Sequence, residues 1–166
     1  MSPRRSTALA GPRLRRCVTF CAAASLTLLA ALATPTASRA EDPLREAAMV
    51  LFTSFWNTTG FLMACPSYVG ENPPYLEAAE AWKKRHDPIL QRMSIVIERS
   101  GGLPDEEKQR IADDALRKAK TWLAARGDSG LYCFGLDAEL DAGTFDFENQ
   151  QEVLPALQRL MKADLS

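Results

Sequence analysis

The sequence has few of the residues that most catalytic and metal centres require. Its 166 residues contain one histidine and four cysteines, and no two cysteines have the C-x-x-C or C-x-x-C-H spacing of redox and haem motifs. The glycine motifs that bind phosphate and the G-x-S-x-G motif of hydrolases are also absent. The sequence therefore predicts no catalytic residue, cofactor or metal site, and it disfavours an enzyme.

Strand signals are absent as well. No segment alternates apolar and polar residues over the length of a strand, and no hairpin turn separates two β-branched runs. Apolar residues recur instead at spacings of three and four, which is the period of a helix buried on one side. The sequence predicts an all-α protein, an irregular up-and-down bundle of about four to five helices with one disulfide.

The helix boundaries follow from caps, prolines and glycines. Asp42 and Pro43 form a helix start, and Pro88 interrupts an otherwise unbroken apolar spacing. We expect one kinked helix there, with a fresh helix capped by Asp87 as the alternative. The expected helices cover residues 43–63, 74–99, 104–126 and 130–142, and the last ends near residue 162.

Several aromatic and apolar side chains are assigned to the core by the same spacing. Trp122 lies on the apolar stripe of the third helix, and Met161 lies on that of the last one. The segment 144–149 is predicted to be a loop held by burial of Phe145 and Phe147.

The first 40 residues lack acidic side chains altogether. They carry six arginines and an uncharged, mostly apolar run over residues 18–33, and small residues occupy Ser38 and Ala40. This is the pattern of a secretory signal peptide cleaved after Ala40. An uncleaved membrane anchor is the weaker alternative, because a spanning helix needs about 20 apolar residues. Arg15 and Arg16 leave a twin-arginine export route open.

We expect a periplasmic or secreted protein without a stable membrane anchor, with residues 41–166 forming one helical domain.

Removal of that segment changes the charge balance. The 20 basic residues fall to 14 against 21 acidic ones, which gives a formal charge of −7. Binding to nucleic acid or to anionic lipid depends on Lys and Arg that neutralise phosphate. The composition therefore argues against a nucleic-acid partner.

Of the four cysteines, two are expected to remain in the mature chain and to form one disulfide. Cys17 and Cys21 lie in the signal segment, so Cys65 and Cys133 remain in the expected mature chain. In an oxidising compartment two such cysteines are expected to form a disulfide, with two unpaired buried thiols as the alternative.

The segment after Cys65 is a candidate for partner binding. Residues 66–75 contain three prolines and one glycine and no helical period, so they are predicted to form a connection. Tyr68, Val69 and Asn72 are the predicted contacts, because they belong to no core stripe and tyrosine is common in interfaces. The alternative is that Tyr68 folds back to cover one end of the bundle.

The only histidine falls on an apolar helical stripe. His86 is therefore predicted to be a partly buried imidazole with its polar atoms satisfied. Noncovalent haem between this histidine and Met49, Met63 or Met93 is a weaker alternative, since methionines at helical spacing usually fill cores.

An acidic segment covers residues 137–148. Asp137, Glu139 and Glu148 fall at positions one, three and twelve of a calcium loop, but the sixth position, which requires glycine, is Ala142. A solvated acidic helix end is predicted, with cation binding as the alternative.

These inferences favour a non-enzymatic periplasmic protein that binds another protein, as an inhibitor, immunity protein or accessory subunit. The alternative from another class is a carrier of a small molecule, metal or haem in the bundle core.

Overall fold

The computed structural model describes residues 42–70 and 73–165. The predicted all-α class is confirmed, since these residues contain helices and no strand. The helices are α1 (Pro43–Ala64), α2 (Pro66–Val69), α3 (Leu76–Arg99), α4 (Asp105–Ala124), α5 (Ser129–Phe134), α6 (Leu136–Asp141) and α7 (Leu154–Lys162), with a 3₁₀ turn at Phe147–Asn149. The predicted signal segment lies outside the described residues and stays a prediction.

Helix α1 begins at its predicted cap. The Asp42 carboxylate accepts a hydrogen bond from the Leu44 backbone N–H at 3.0 Å, and Pro43 occupies the first turn. The poor helix formers between Asn57 and Gly60 remain helical. Tertiary contact overrides their low propensity, because Ser54, Thr58 and Gly60 are buried against neighbouring elements.

Helix α3 continues through Pro88, so the prediction of a single helix there is confirmed. Its start is two residues later than predicted, at Leu76, because Pro73 and Pro74 form a turn in which the Leu76 N–H donates to the Pro73 carbonyl. Tyr75 precedes the helix and is fully buried. Its hydroxyl donates to the Leu62 carbonyl at 2.9 Å, and burial raises the Tyr75 pKa to about 12.

Two expectations about loops and helices are wrong. Residues 66–69 form the short helix α2 instead of an irregular connection, because Pro66 can open a helix turn and Gly70 closes it at a φ of 93°. The expected helix 130–142 is divided into α5 and α6 at Gly135, whose ψ of 11° departs from helical geometry. Cys133 and Leu136 are both buried, one on each side of this break.

Two predicted core side chains lie at the surface instead. Trp122 and Met161 are 39% and 47% exposed. On α4 and α7 the buried positions are occupied by small or branched residues, Ala115, Ala119, Leu123, Leu157 and Leu160. Both α4 and α7 pack directly against α1. The large side chains of Trp122 and Met161 therefore lie at the edges of the apolar faces of these helices.

Helix α1 is the centre of the bundle and contacts α3, α4 and α7. Two apolar clusters form the core. One surrounds Leu51, Met93 and Leu160, and the other surrounds Trp82, Leu123 and the two cysteines, while Phe55 packs against both. The stretch Pro43–Val69 is long and apolar enough to cross a membrane by length and composition, and the core helix of a folded domain passes the same test.

Candidate functional site

The predicted disulfide is confirmed. Cys65 and Cys133 are bonded, their Cα atoms are 5.3 Å apart, and both side chains are buried. Cys65 lies between α1 and α2, and Cys133 lies in α5, so the bond joins two segments separated by 68 residues. The two short helices that flank it, α2 and α5, pack against each other.

Large apolar side chains are exposed on both of these helices. Leu131 is 78% exposed and Phe134 is 65% exposed, and a spacing of three places them on one side of α5. Tyr68 on α2 is 39% exposed. We call these three residues the disulfide-end surface. Apolar side chains left in water contribute little to the stability of the domain through burial.

The sequence-predicted contacts are only partly in this surface. Tyr68 is 39% exposed, which is compatible both with an interface role and with partial packing on the bundle. Val69 is half-buried and packs against the cluster around the disulfide. Asn72 lies outside the described residues. Leu131 and Phe134 were not predicted, because α5 was expected to be the start of a longer helix whose spacing gave no special role to its outer face.

An arginine lies beside the disulfide-end surface. The Arg126 guanidinium stacks over the rings of Trp122 and Tyr132, at 4.4 and 5.1 Å from their centroids. It also donates two hydrogen bonds of 2.8 Å to the Asp128 carboxylate, which lowers the pKa of Asp128. Because Arg126 is paired with Asp128, it adds no unpaired charge to the end of α4 next to α5.

A second group of residues lies where α3 meets the segment that follows α6. His86 is buried with 1% of its side chain exposed, and its Nε2 atom lies 3.6 Å from both Asp146 Oδ1 and Glu148 Oε2. We call these residues the histidine–carboxylate cluster. The other ring nitrogen, Nδ1, lies 2.8 Å from the Trp82 carbonyl. A carbonyl only accepts, so Nδ1 carries a proton and donates it there.

The loop that supplies the carboxylates is held to α3 from several directions. Arg85 donates from Nε and Nη2 to the two oxygens of Asp146 at 3.1 and 2.9 Å, and this bond raises the arginine pKa. Trp82 Nε1 donates to the Phe145 carbonyl at 3.2 Å. Gly143 has a φ of 74°, and a Cβ there would lie 2.9 Å from Asp146 Oδ2. The position of Asp146 therefore depends on this glycine.

The acidic segment does not form a calcium loop. Its first part is helical, with Leu136 and Leu140 buried, so the predicted acidic helix end is what the structure contains. His86 is more completely buried than predicted, and its Nε2 makes no hydrogen bond within 3.5 Å among the described groups. Nothing in the sequence spacing indicates that His86 and Asp146, 60 residues apart, meet in the fold.

Comparisons with known proteins return nothing that bears on these two sites. No protein-family model matches the chain, and no curated protein or solved structure matches it either.

Proposed function

We propose that this protein is exported, is cleaved after Ala40, and acts in the periplasm as a non-enzymatic protein that binds another protein. The arginine-rich, acid-free start of the chain supports export. The disulfide between Cys65 and Cys133 is compatible with it, because such bonds persist in oxidising compartments. Intact mass of the periplasmic form tests the processing step: the chain should begin at Glu41, and a membrane-bound form that retains residues 18–33 would contradict it.

The disulfide-end surface is the observation that carries the binding proposal. Leu131 and Phe134 are the two most exposed large apolar side chains among the described residues. They are on a six-residue helix whose position is fixed by the disulfide and by packing on α2. A surface that is already rigid loses little conformational entropy on binding, so a larger part of the apolar contact contributes to affinity.

The expected partner is a protein whose apolar contact area is surrounded by basic residues. The expected mature chain has a formal charge of −7, so its field accelerates encounter with a basic surface and repels an acidic one. Arg126, which lies next to the surface, is paired with Asp128 and does not oppose this field. An inhibitor, an immunity protein or an accessory subunit would all act in this way.

A paired-variant capture experiment tests the proposal. Leu131→Ser with Phe134→Ser removes two apolar side chains from the disulfide-end surface. The matched control, Ile95→Ser with Met161→Ser, removes two exposed apolar side chains from α3 and α7, which carry no residue of the disulfide-end surface. Because all four side chains are partly or largely in water, all variants should keep a melting temperature near that of the wild type.

The captured partner should then be purified and its affinity measured. We expect the test variant to bind at least about 30-fold more weakly, since an interface hot spot contributes about 2 kcal/mol, and the control variant to bind like the wild type. High salt should slow association. Equal binding by the test variant and the wild type would refute the assignment of this surface. Tyr68→Ala, measured in parallel, separates a contact role from packing: loss of binding without a change in melting temperature indicates contact.

A further inference from the structure

We infer that the histidine–carboxylate cluster binds a divalent transition-metal ion, and that Zn²⁺ is the ion its donor atoms fit best. The donors are Nε2 of His86, Oδ1 of Asp146 and Oε2 of Glu148, which all lie within 4.8 Å of one another. One nitrogen and two carboxylate oxygens form a mixed donor set that suits zinc better than calcium or magnesium, which prefer oxygen alone.

The distances leave room for an ion of this size. Both oxygens are 3.6 Å from Nε2. Ligands bound at about 2.1 Å in a tetrahedral arrangement are separated by about 3.4 Å. The two nitrogen–oxygen separations are close to that value, and the two oxygens lie within 4.8 Å of each other. The nitrogen–oxygen separations are too long for a direct charge-assisted hydrogen bond, which would bring nitrogen and oxygen to about 2.8 Å.

The tautomer of His86 supplies an independent argument. With Nδ1 donating to the Trp82 carbonyl, Nε2 is the ring nitrogen that faces the two carboxylates and is the one whose lone pair can bind a metal. Nε2 then has no hydrogen-bond partner within 3.5 Å among the described groups, although the side chain is 99% buried. A cation bound between Nε2 and the two carboxylates would give this lone pair a partner. Histidine ligands of metals are usually held in this way, with the second ring nitrogen donating to a carbonyl or carboxylate.

The surroundings fix the donors in place. The His86 ring lies against Trp82 and Phe147, with ring centroids 5.2 and 5.0 Å away. The fork of Arg85 holds Asp146. The positive charge of Arg85 opposes a cation, but Asp141 also acts electrostatically on this arginine and offsets part of that effect. Each carboxylate oxygen of Asp146 accepts only one hydrogen bond from Arg85. Each therefore keeps a lone pair that can bind a metal.

One side of the cluster is open to water. The Glu148 side chain is 57% exposed and the Asp146 side chain is 17% exposed. A three-ligand site with a water-accessible fourth position is the arrangement of zinc sites that exchange a ligand. This cluster is therefore distinct in position and chemistry from the disulfide-end surface, and it does not depend on the proposed protein partner.

The test uses the exported protein, produced with its own first 40 residues and without a polyhistidine tag, after removal of metal by a chelator. Zn²⁺ is titrated calorimetrically into the wild type, Glu148→Gln and Glu152→Gln. Glu148 is the preferred target because its exposed side chain can change without disturbing the fold. Glu152 is an exposed glutamate four residues away and is the matched control for charge.

We expect one Zn²⁺ per chain, at least about tenfold weaker binding by Glu148→Gln, and unchanged binding by Glu152→Gln. A second readout is the ¹⁵N spectrum of the imidazole, which needs no assignment because the chain has one histidine. Zn²⁺ should shift the Nε2 signal and leave Nδ1 protonated. The inference is overturned if Zn²⁺ does not bind, if the imidazole signals do not change, or if the two glutamine variants bind alike.

Discussion

Gly60 on α1 is the residue whose replacement tests the packing of the bundle most directly. It is buried where α1 crosses α4, and a Cβ at this position would lie 2.7 Å from the Ala115 carbonyl oxygen and 2.8 Å from its carbon. Both are backbone atoms of a helix and are unable to rotate away. Gly60→Ala therefore forces α1 and α4 apart.

Two opposing effects determine the size of the change. Alanine stabilises a helix interior by about 1 kcal/mol relative to glycine. Overpacking a close backbone contact costs about 3 kcal/mol, the upper part of the usual range, since two helices must move. The net loss is about 2 kcal/mol, which lowers the melting temperature of a domain of this size by about 7 °C.

Thermal and urea unfolding followed by circular dichroism measure this loss. Gly130→Ala is the matched control, because Gly130 is also helical and a Cβ there meets nothing within 4 Å. The control should gain about 0.5 kcal/mol. If Gly60→Ala were as stable as the wild type, or gained as much as Gly130→Ala, the close crossing of α1 and α4 would be wrong.

Two further predictions concern the disulfide and Tyr75. Replacement of Cys65 and Cys133 by alanine should lower the free energy of unfolding by about 4 kcal/mol, because the bond closes a loop with a separation of 68 residues. Urea unfolding with and without reductant measures this loss. Equal unfolding midpoints would contradict the prediction. The Tyr75 pKa rises to about 12 on folding, so its contribution to stability is complete below pH 10 and is lost between pH 10 and 12. Absorbance titration at 295 nm should show three tyrosines in the wild type, and Tyr75→Phe should remove the step at highest pH; loss of a step near pH 10 instead would refute the burial argument.

The candidate sites were only partly accessible to sequence reasoning. The pairing of Cys65 with Cys133 follows from elimination, since no other cysteine remains in the expected mature chain. Tyr68 could be selected because it falls outside every helical stripe. Leu131 and Phe134 could not be selected, because helical spacing places Leu131 away from the buried Cys133 side but does not indicate which outward side chain contacts a partner.

The sequence by itself was sufficient to predict the helical class, the start of α1 at its Asp42 cap, the continuity of α3 through Pro88 and the cysteine pair. These features depend on spacings of a few residues, or on a residue type so rare that its partner is known. The tertiary structure alone decided that Gly60 is a contact point, that Trp122 is at the surface, and that His86 faces Asp146 and Glu148. Each of these depends on how helices distant in sequence cross. Helical periodicity identifies the side of a helix that is buried, but contains no information on which residue of another helix lies opposite.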